Sequence, residues 1–307
     1  MDFELSPDQV DLQEGMRKLC EGRFSMEAVR GLEAVDGVDR SLWSELSEAG
    51  VFTLRSEGGV GLGITESVLV FEELGRACVP GPLVATELLA ADDVVGAVER
   101  GDGPVVIEHL AVLDRLLVID GDGVSVVDPK SVVAERSAHP LDPLTPVWVA
   151  ESLPPGTSID ADPSILRLEG ALLTAALQLG LSEAVLALSV AYAKERHQFD
   201  KPIGSFQAVK HLLADSSVRT EVARAAVYAA AVTVDDPSVG DPARAVSAAK
   251  VTAGEAAMKN GKTAIQVHGG MGFTWEVDAH LYLKRSWVLD AVFGSVDDHS
   301  EMLVNLL

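Results

Sequence analysis

The segment from Lys194 to Asp215, KERHQFDKPIGSFQAVKHLLAD, and a glycine-rich one from Gln266 to Thr274, QVHGGMGFT, hold most of what this sequence says about fold and function. Between Lys194 and His211 four fixed cations, Lys194, Arg196, Lys201 and Lys210, stand against two acids, Glu195 and Asp200, in a chain whose formal net charge is -23. Such a basic island is either a set of solvated charges at a helix end or a seat for an anion. An arginine-to-phosphate hydrogen bond contributes roughly 1.5 to 3 kcal/mol, enough to give the second reading weight.

Working outward, no proline interrupts the chain between Pro163 and Pro202, and a long helix is expected to fill that span. Its apolar residues, among them Leu172, Leu173, Leu177, Leu179, Leu181, Val185 and Leu188, leave little polar surface, so it reads as buried in a bundle or a subunit interface. Arg167, Glu169 and Glu183 along it argue against a membrane span. A second helix is expected over Ser205 to Val234, a third from the Asp241-Pro242 cap to about Gly269, a fourth over Asp278 to Asp290, then a short tail to Leu307. The pattern is that of an antiparallel helical bundle.

Toward the N-terminus, Ser6-Pro7-Asp8 places a cap residue, a proline and an acid at the start of a helix that should reach about Cys20. Shorter helices are expected over Met26 to Glu33, Ser41 to Glu48 and Thr65 to Ala77. The stretch GGVGLGIT from Gly58 to Thr65 reads as a loop; its Gly-x-Gly lacks the strand and Rossmann unit that a nucleotide loop requires. From Pro104 to Leu153 the pattern turns to short β runs, PVVIEHL, RLLVID, GVSVVD and PVWVAES, with Asp120-Gly121-Asp122-Gly123 as a hairpin turn. The fold class is therefore mainly α with a small β domain, divided as a helical region over 1–100, a β domain over 101–160 and a helical bundle over 161–307.

With 307 residues and 48% apolar content, the chain is expected to be globular. The start MDFELSPDQV lacks the basic and apolar regions of a signal peptide, and Cys20 and Cys78 make neither a metal spacing nor a disulfide framework, which fits a cytoplasmic protein without a metal site. The acidity argues against nucleic-acid binding.

Arg-x-x-Phe from Arg196, then Pro-Ile-Gly and Phe-Gln, then Gln-x-x-Gly-Gly-x-Gly-Phe-Thr from Gln266, resembles the C-terminal half of the acyl-CoA dehydrogenase family of FAD-dependent flavoproteins. The resemblance covers about Ser164 to Asp290 well. A Gly-rich loop ahead of Glu72-Glu73-Leu74-Gly75 is similar to the family's N-terminal helical domain. It implies that Arg196 pairs with the flavin pyrophosphate, that Gln198, Phe199, Phe206 and Gln207 line the same seat, and that Gln266, Val267, Gly269 and Gly270 approach the adenosine end. Asp200 stands where the family has Gly, which puts the local turn in question. For His268, packing or a hydrogen bond is preferred to catalysis.

The resemblance breaks down in the middle, where the family's Thr-Glu-Pro, Gly-Ser-Asp and Trp-Ile-Thr/Ser stretches along the flavin ring are missing; Thr86-Glu87 precedes Leu88 and does not count. The family's catalytic carboxylate has two known places. Here they match the run Phe293-Gly294-Ser295-Val296 and Gly170, neither of which carries a carboxylate. Glu169 is one residue off, a rotation of about 100° on a helix, and Asp297 and Asp298 read as exposed polar residues. Losing the ring segment and the base while keeping the ADP-binding half implies a shortened, non-catalytic subunit of a heteromeric α2β2 enzyme of the actinobacterial sterol-degrading type. Its partner would be a full-length acyl-CoA dehydrogenase subunit, its substrate an acyl-CoA and its acceptor similar to electron-transfer flavoprotein. Two alternatives stay open: a self-sufficient homomer using Glu169 or Asp298 as base, and a flavin-free scaffold.

Overall fold

The computed structural model describes residues 5–56 and 61–306. Helix α1, Pro7–Arg23, starts at a capping box in which Ser6 and Gln9 satisfy each other's backbone N–H groups. Then come α2, Met26–Gly31, and α3, Arg40–Glu48, whose first-turn amides of Ser41 and Leu42 donate to Asp39. Helices α4, Ile64–Arg76, and α5, Leu83–Leu88, follow. Gly58, Gly59 and Val60 of the expected glycine loop lie outside the described residues; Gly61, at φ +70°, and the next two residues lead irregularly into α4.

Seven strands come next: β1 Val95–Glu99, β2 Val105–Glu108, β3 Arg115–Asp120, β4 Gly123–Val127, β5 Glu135–Arg136, β6 Val147–Ala150 and β7 Thr157–Ser158. They form a four-stranded sheet in the order β1-β3-β4-β7 and a three-stranded one in the order β2-β6-β5. The expected hairpin is present, with Asp120 opposite Gly123 and Gly121 at φ +56° in the turn. Strand β1 was not expected in a region read as helical. It pairs in parallel with β3, Val95 opposite Arg115, and no local turn signal announces a parallel neighbour that far along the chain.

The long helix is α6, Pro163–Glu195. A two-residue-per-strand hairpin, β8 His197–Gln198 and β9 Lys201–Pro202, leads through a 3-10 turn into α7, Gln207–Asp235. Helix α8, Pro242–His268, has Asp241 accepting from the amides of Ala243 and Arg244, and α9 is Ala279–Ala291. The expected tail is instead a helix, α10, Val296–Asn305, opened by a second capping box between Ser295 and Asp298. A box closed by aspartate rather than Glu or Gln, ahead of a short polar helix, is a weak signal in sequence.

These elements make two compact units. One, of residues 27–56, 61–67 and 79–170, holds both larger sheets with Ile107, Leu116, Leu117, Val118 and Ile119 in its core. The other, of residues 5–26, 68–78 and 171–306, is helical. Although α6 is long and apolar enough to cross a membrane by composition, Ala171 to Leu181 are buried in the core of this unit.

Packing there relies on small residues. A Cβ on Gly180 of α6 would lie 1.9 Å from the Glu72 carbonyl oxygen of α4, and one on Gly75 would lie 2.1 Å from that of Leu177, so the two backbones touch. A buried polar cluster fixes the α6–α7–α8 register: the Asn260 amide donates to Ser182 and Thr220 hydroxyls and to the Ser216 carbonyl, and accepts from Arg219. Gly180→Ala should force α4 and α6 apart and lower stability by about 3 kcal/mol or more, measured as the shift of a denaturant unfolding midpoint.

Candidate functional site

The end of α6 and the start of α7 present the basic island. At the hairpin tip Phe199 and Asp200 both adopt left-handed backbone, φ +54° and +62°. Two successive positive φ values define the turn that closes a tight two-residue hairpin, and aspartate is among the few non-glycine residues that tolerate them. The turn put in question by Asp200 therefore forms. Gly204, whose Cβ would come 2.9 Å from the Ala193 carbonyl oxygen, lets the Pro-Ile-Gly turn lie on the last turns of α6.

Arg196 follows the last residue of α6; its amide donates to the Tyr192 carbonyl and its own carbonyl accepts from Ile203. Its side chain is exposed, with no ion pair to it among the described residues. Gln198 and Gln207 are exposed, and Phe199 is 85% exposed. Phe206 meets Phe199 edge to face at 6.1 Å, and the Lys201 ammonium stands 4.5 Å over its ring.

The second motif closes α8. Gln266 and the two glycines, Gly269 at φ +60° and Gly270, are exposed, with nothing within 4 Å of a Cβ on either glycine. Val267 is buried, so its side chain belongs to the core. His268 is buried as well, its Nδ1 2.8 Å from the Ala264 carbonyl, and its ring stacks on Tyr192 at 4.1 Å, matching the packing role preferred for it. This stack, which the sequence did not reveal, ties the ends of α6 and α8 together. It brings Arg196, four residues beyond Tyr192, and Gly269, one beyond His268, to the same end of the helical unit. An exposed guanidinium with no ion pair among the described residues, at the same end of the unit as glycine backbone that a ligand can approach closely, fits the phosphate-bearing half of FAD.

The carboxylates considered as bases are engaged elsewhere. Glu169 pairs with Arg55 at 2.9 Å, and Arg55 also grips Glu87 through two hydrogen bonds of 2.7 and 2.9 Å. Glu87 is buried and accepts from the Ser67 hydroxyl as well. Asp298 is exposed and caps α10, and its bond from the Ser295 hydroxyl holds its carboxyl below the usual range, which makes it a weaker base. Asp297 is exposed. In the helical unit Glu72 and Glu73 are fully buried. Glu72 receives Arg224 and the Tyr228 hydroxyl, and Glu73 receives Arg17 and Arg76. Burial pushes the Glu72 carboxyl up while Arg224 and Tyr228 pull it down. The Glu-Glu-Leu-Gly run is thus a structural ion-pair site with the Gly75 crossing beside it.

The architecture is that of the acyl-CoA dehydrogenases. The chain matches the family descriptions "Acyl-CoA dehydrogenase, N-terminal domain" over residues 6–95 and "Acyl-CoA dehydrogenase, C-terminal domain" over residues 168–303. It is 35% identical to the acyl-CoA dehydrogenase IpdE2 of Mycobacterium tuberculosis over 90% of this chain and 89% of that protein. Among solved structures it superposes on a chain of the ChsE4–ChsE5 complex of M. tuberculosis with TM-score 0.81, 24% identity and coverage of 99% and 98% of the two chains. The Tcur3481–Tcur3483 steroid ACAD gives TM-score 0.83 at 22% identity, covering 97% of each chain. The chain belongs to the acyl-CoA dehydrogenase family, whose cofactor is FAD.

The Arg55 network makes a stability prediction. Arg55→Met strands the buried Glu87 carboxylate and should cost about 3 kcal/mol in chemical unfolding, with the loss shrinking in an Arg55→Met, Glu87→Gln double variant.

Proposed function

We propose that this chain is the short, non-catalytic subunit of a heteromeric FAD-dependent acyl-CoA dehydrogenase. In this reading its Arg196, Gln198, Phe199, Phe206, Gln207, Gln266, Val267, Gly269 and Gly270 supply the ADP-binding half of the flavin seat, Val267 through its backbone. A full-length partner subunit supplies the base and the ring site. The observation that carries it is a contrast between the two halves of the chemistry. The residues for the anion-binding half are present in the sequence, with the Arg196 guanidinium exposed and without an ion pair among the described residues, whereas the two places where the family keeps its base hold Gly170 and the Phe293-Gly294 run, and Glu169, next to the first, is bound to Arg55.

When bound, the flavin accepts the hydride that leaves the β-carbon of an acyl thioester as the α-proton is removed. The role of this chain is to hold and orient. Arg196 offers a planar fork for the pyrophosphate, and the Tyr192–His268 stack keeps the two motifs at a fixed spacing. A sterol-derived acyl group is supported by the likeness to a protein described as a steroid ACAD, and assembly with a second chain by the likeness to the ChsE4–ChsE5 complex; a heterotetramer and a cytoplasmic location belong to the same reading. An acceptor similar to electron-transfer flavoprotein completes the reading.

The test is to purify the chain alone and with a full-length acyl-CoA dehydrogenase, recording flavin absorbance and mass. Flavin is expected only in the complex, with Arg196→Ala weakening its retention about 10-fold or more, the equivalent of one charged hydrogen bond. A yellow, active homomer would overturn the proposal, and loss of its turnover in Glu169→Gln would then identify the base.

A further inference from the structure

The loop between α9 and α10 is held by buried side chains for which the flavin reading has no use. Phe293 and Gly294 both have left-handed backbone, φ +52° and +92°. For a phenylalanine that conformation persists only where the surroundings impose it.

The imposing group is His299, in the first turns of α10 and 5% exposed. Its Nε2 lies 2.9 Å from the Phe293 carbonyl oxygen and its Nδ1 lies 3.1 Å from the Ser247 hydroxyl of α8. Only a donor can satisfy a carbonyl, so Nε2 carries the hydrogen and Nδ1 of the neutral ring accepts from the serine. Gly294 packs against this ring: a Cβ there would come 2.8 Å from Nε2.

Three residues along α8 from Ser247 lies Lys250, fully buried, its ammonium donating to the carbonyls of Leu289 and Asp290 at the end of α9. Asp290 in turn accepts from the Val296 amide, the first of α10. The charged groups facing His299 are thus Lys250 from α8, Asp290 from the end of α9 and Asp298 on its own helix.

We propose that His299 is an acid-sensitive latch that holds residues 292–295 and α10 against α8 while its ring is neutral and releases them when it is protonated. Protonation turns Nδ1 from an acceptor into a donor aimed at Ser247, and it places a second buried cation beside Lys250. The two aspartates offset this only in part, because the Asp298 carboxylate is held by Ser295 and that of Asp290 by the Val296 amide. Burial keeps the His299 pKa below its usual 6.5, against the opposing pull of the Phe293 carbonyl. The unfolded chain therefore binds this proton more readily than the folded one. The stability held by the neutral latch is whole above the unfolded value and declines as pH falls from there toward the folded one. The latch does not depend on flavin binding.

The experiment is amide hydrogen exchange on the full-length protein at about pH 7.5 and about pH 5.5, corrected for the intrinsic pH effect, in the wild type and in His299→Gln. Glutamine can donate to the Phe293 carbonyl and accept from Ser247 without titrating. Wild-type amides over 292–305 should lose protection by several-fold, up to the limit of about 10-fold that one histidine allows, at the lower pH, while those of α6 hold, and His299→Gln should show no such step. An equal step in the variant, or none in the wild type, overturns the latch. An NMR titration of the His299 ring in the wild type needs no variant: a pKa at or above about 6.5 would equally overturn it.

Discussion

Helices α4 and α6 touch backbone to backbone at Gly75 and Gly180, and the helical unit is arranged around that contact. The close approach puts Glu72 where its carbonyl lies against α6 while its carboxylate points away into the protein. A buried carboxylate is tolerable only with partners, and here they come from two other helices: Gln13 from α1, Arg224 and Tyr228 from α7. One steric fact therefore has an electrostatic consequence that fixes the neighbours. Glu73 repeats the logic toward α1 through Arg17, with Arg76 completing the pair from its own helix.

The buried glutamates of both units are held by arginines: Glu72, Glu73 and Glu87 each bind at least one, and the half-buried Glu169 shares Arg55 with Glu87. The exposed Arg196 has no such partner among the described residues. A carboxylate bridged to guanidinium is a poor proton acceptor, since taking a proton would forfeit the ion pair. An exposed cation with no partner is ready for an external anion.

How much of this could be read beforehand depends on the distance over which each feature is determined. The caps at Ser6 and Asp241, the Asp120 to Gly123 hairpin and the proline-free run of α6 are local, and all were legible. Strand β1 was not, because its partner β3 comes after an intervening strand and its pairing is parallel. Helix α10 was missed because its aspartate-closed cap and short polar sequence resemble a tail. At the candidate site the motifs identified the family, yet only the structure shows the Tyr192–His268 stack that joins them, since seventy-odd residues separate its partners and aromatic stacking leaves no periodic mark. The inward turn of Val267 was within reach: Ala264, Val267 and His268 fall at the three- and four-residue spacing of one helix face.

From Gly180 onward, α6 carries its contacts in a fixed angular order: the crossing with α4, then Tyr192 against His268, then Arg196 just beyond its end. Deleting or inserting one residue between Gly180 and Arg196 would rotate everything downstream by about 100° and displace it by about 1.5 Å. The stack and the guanidinium would then go out of phase with the crossing together. A substitution in this stretch alters one contact at a time, whereas a change of length alters all of them at once.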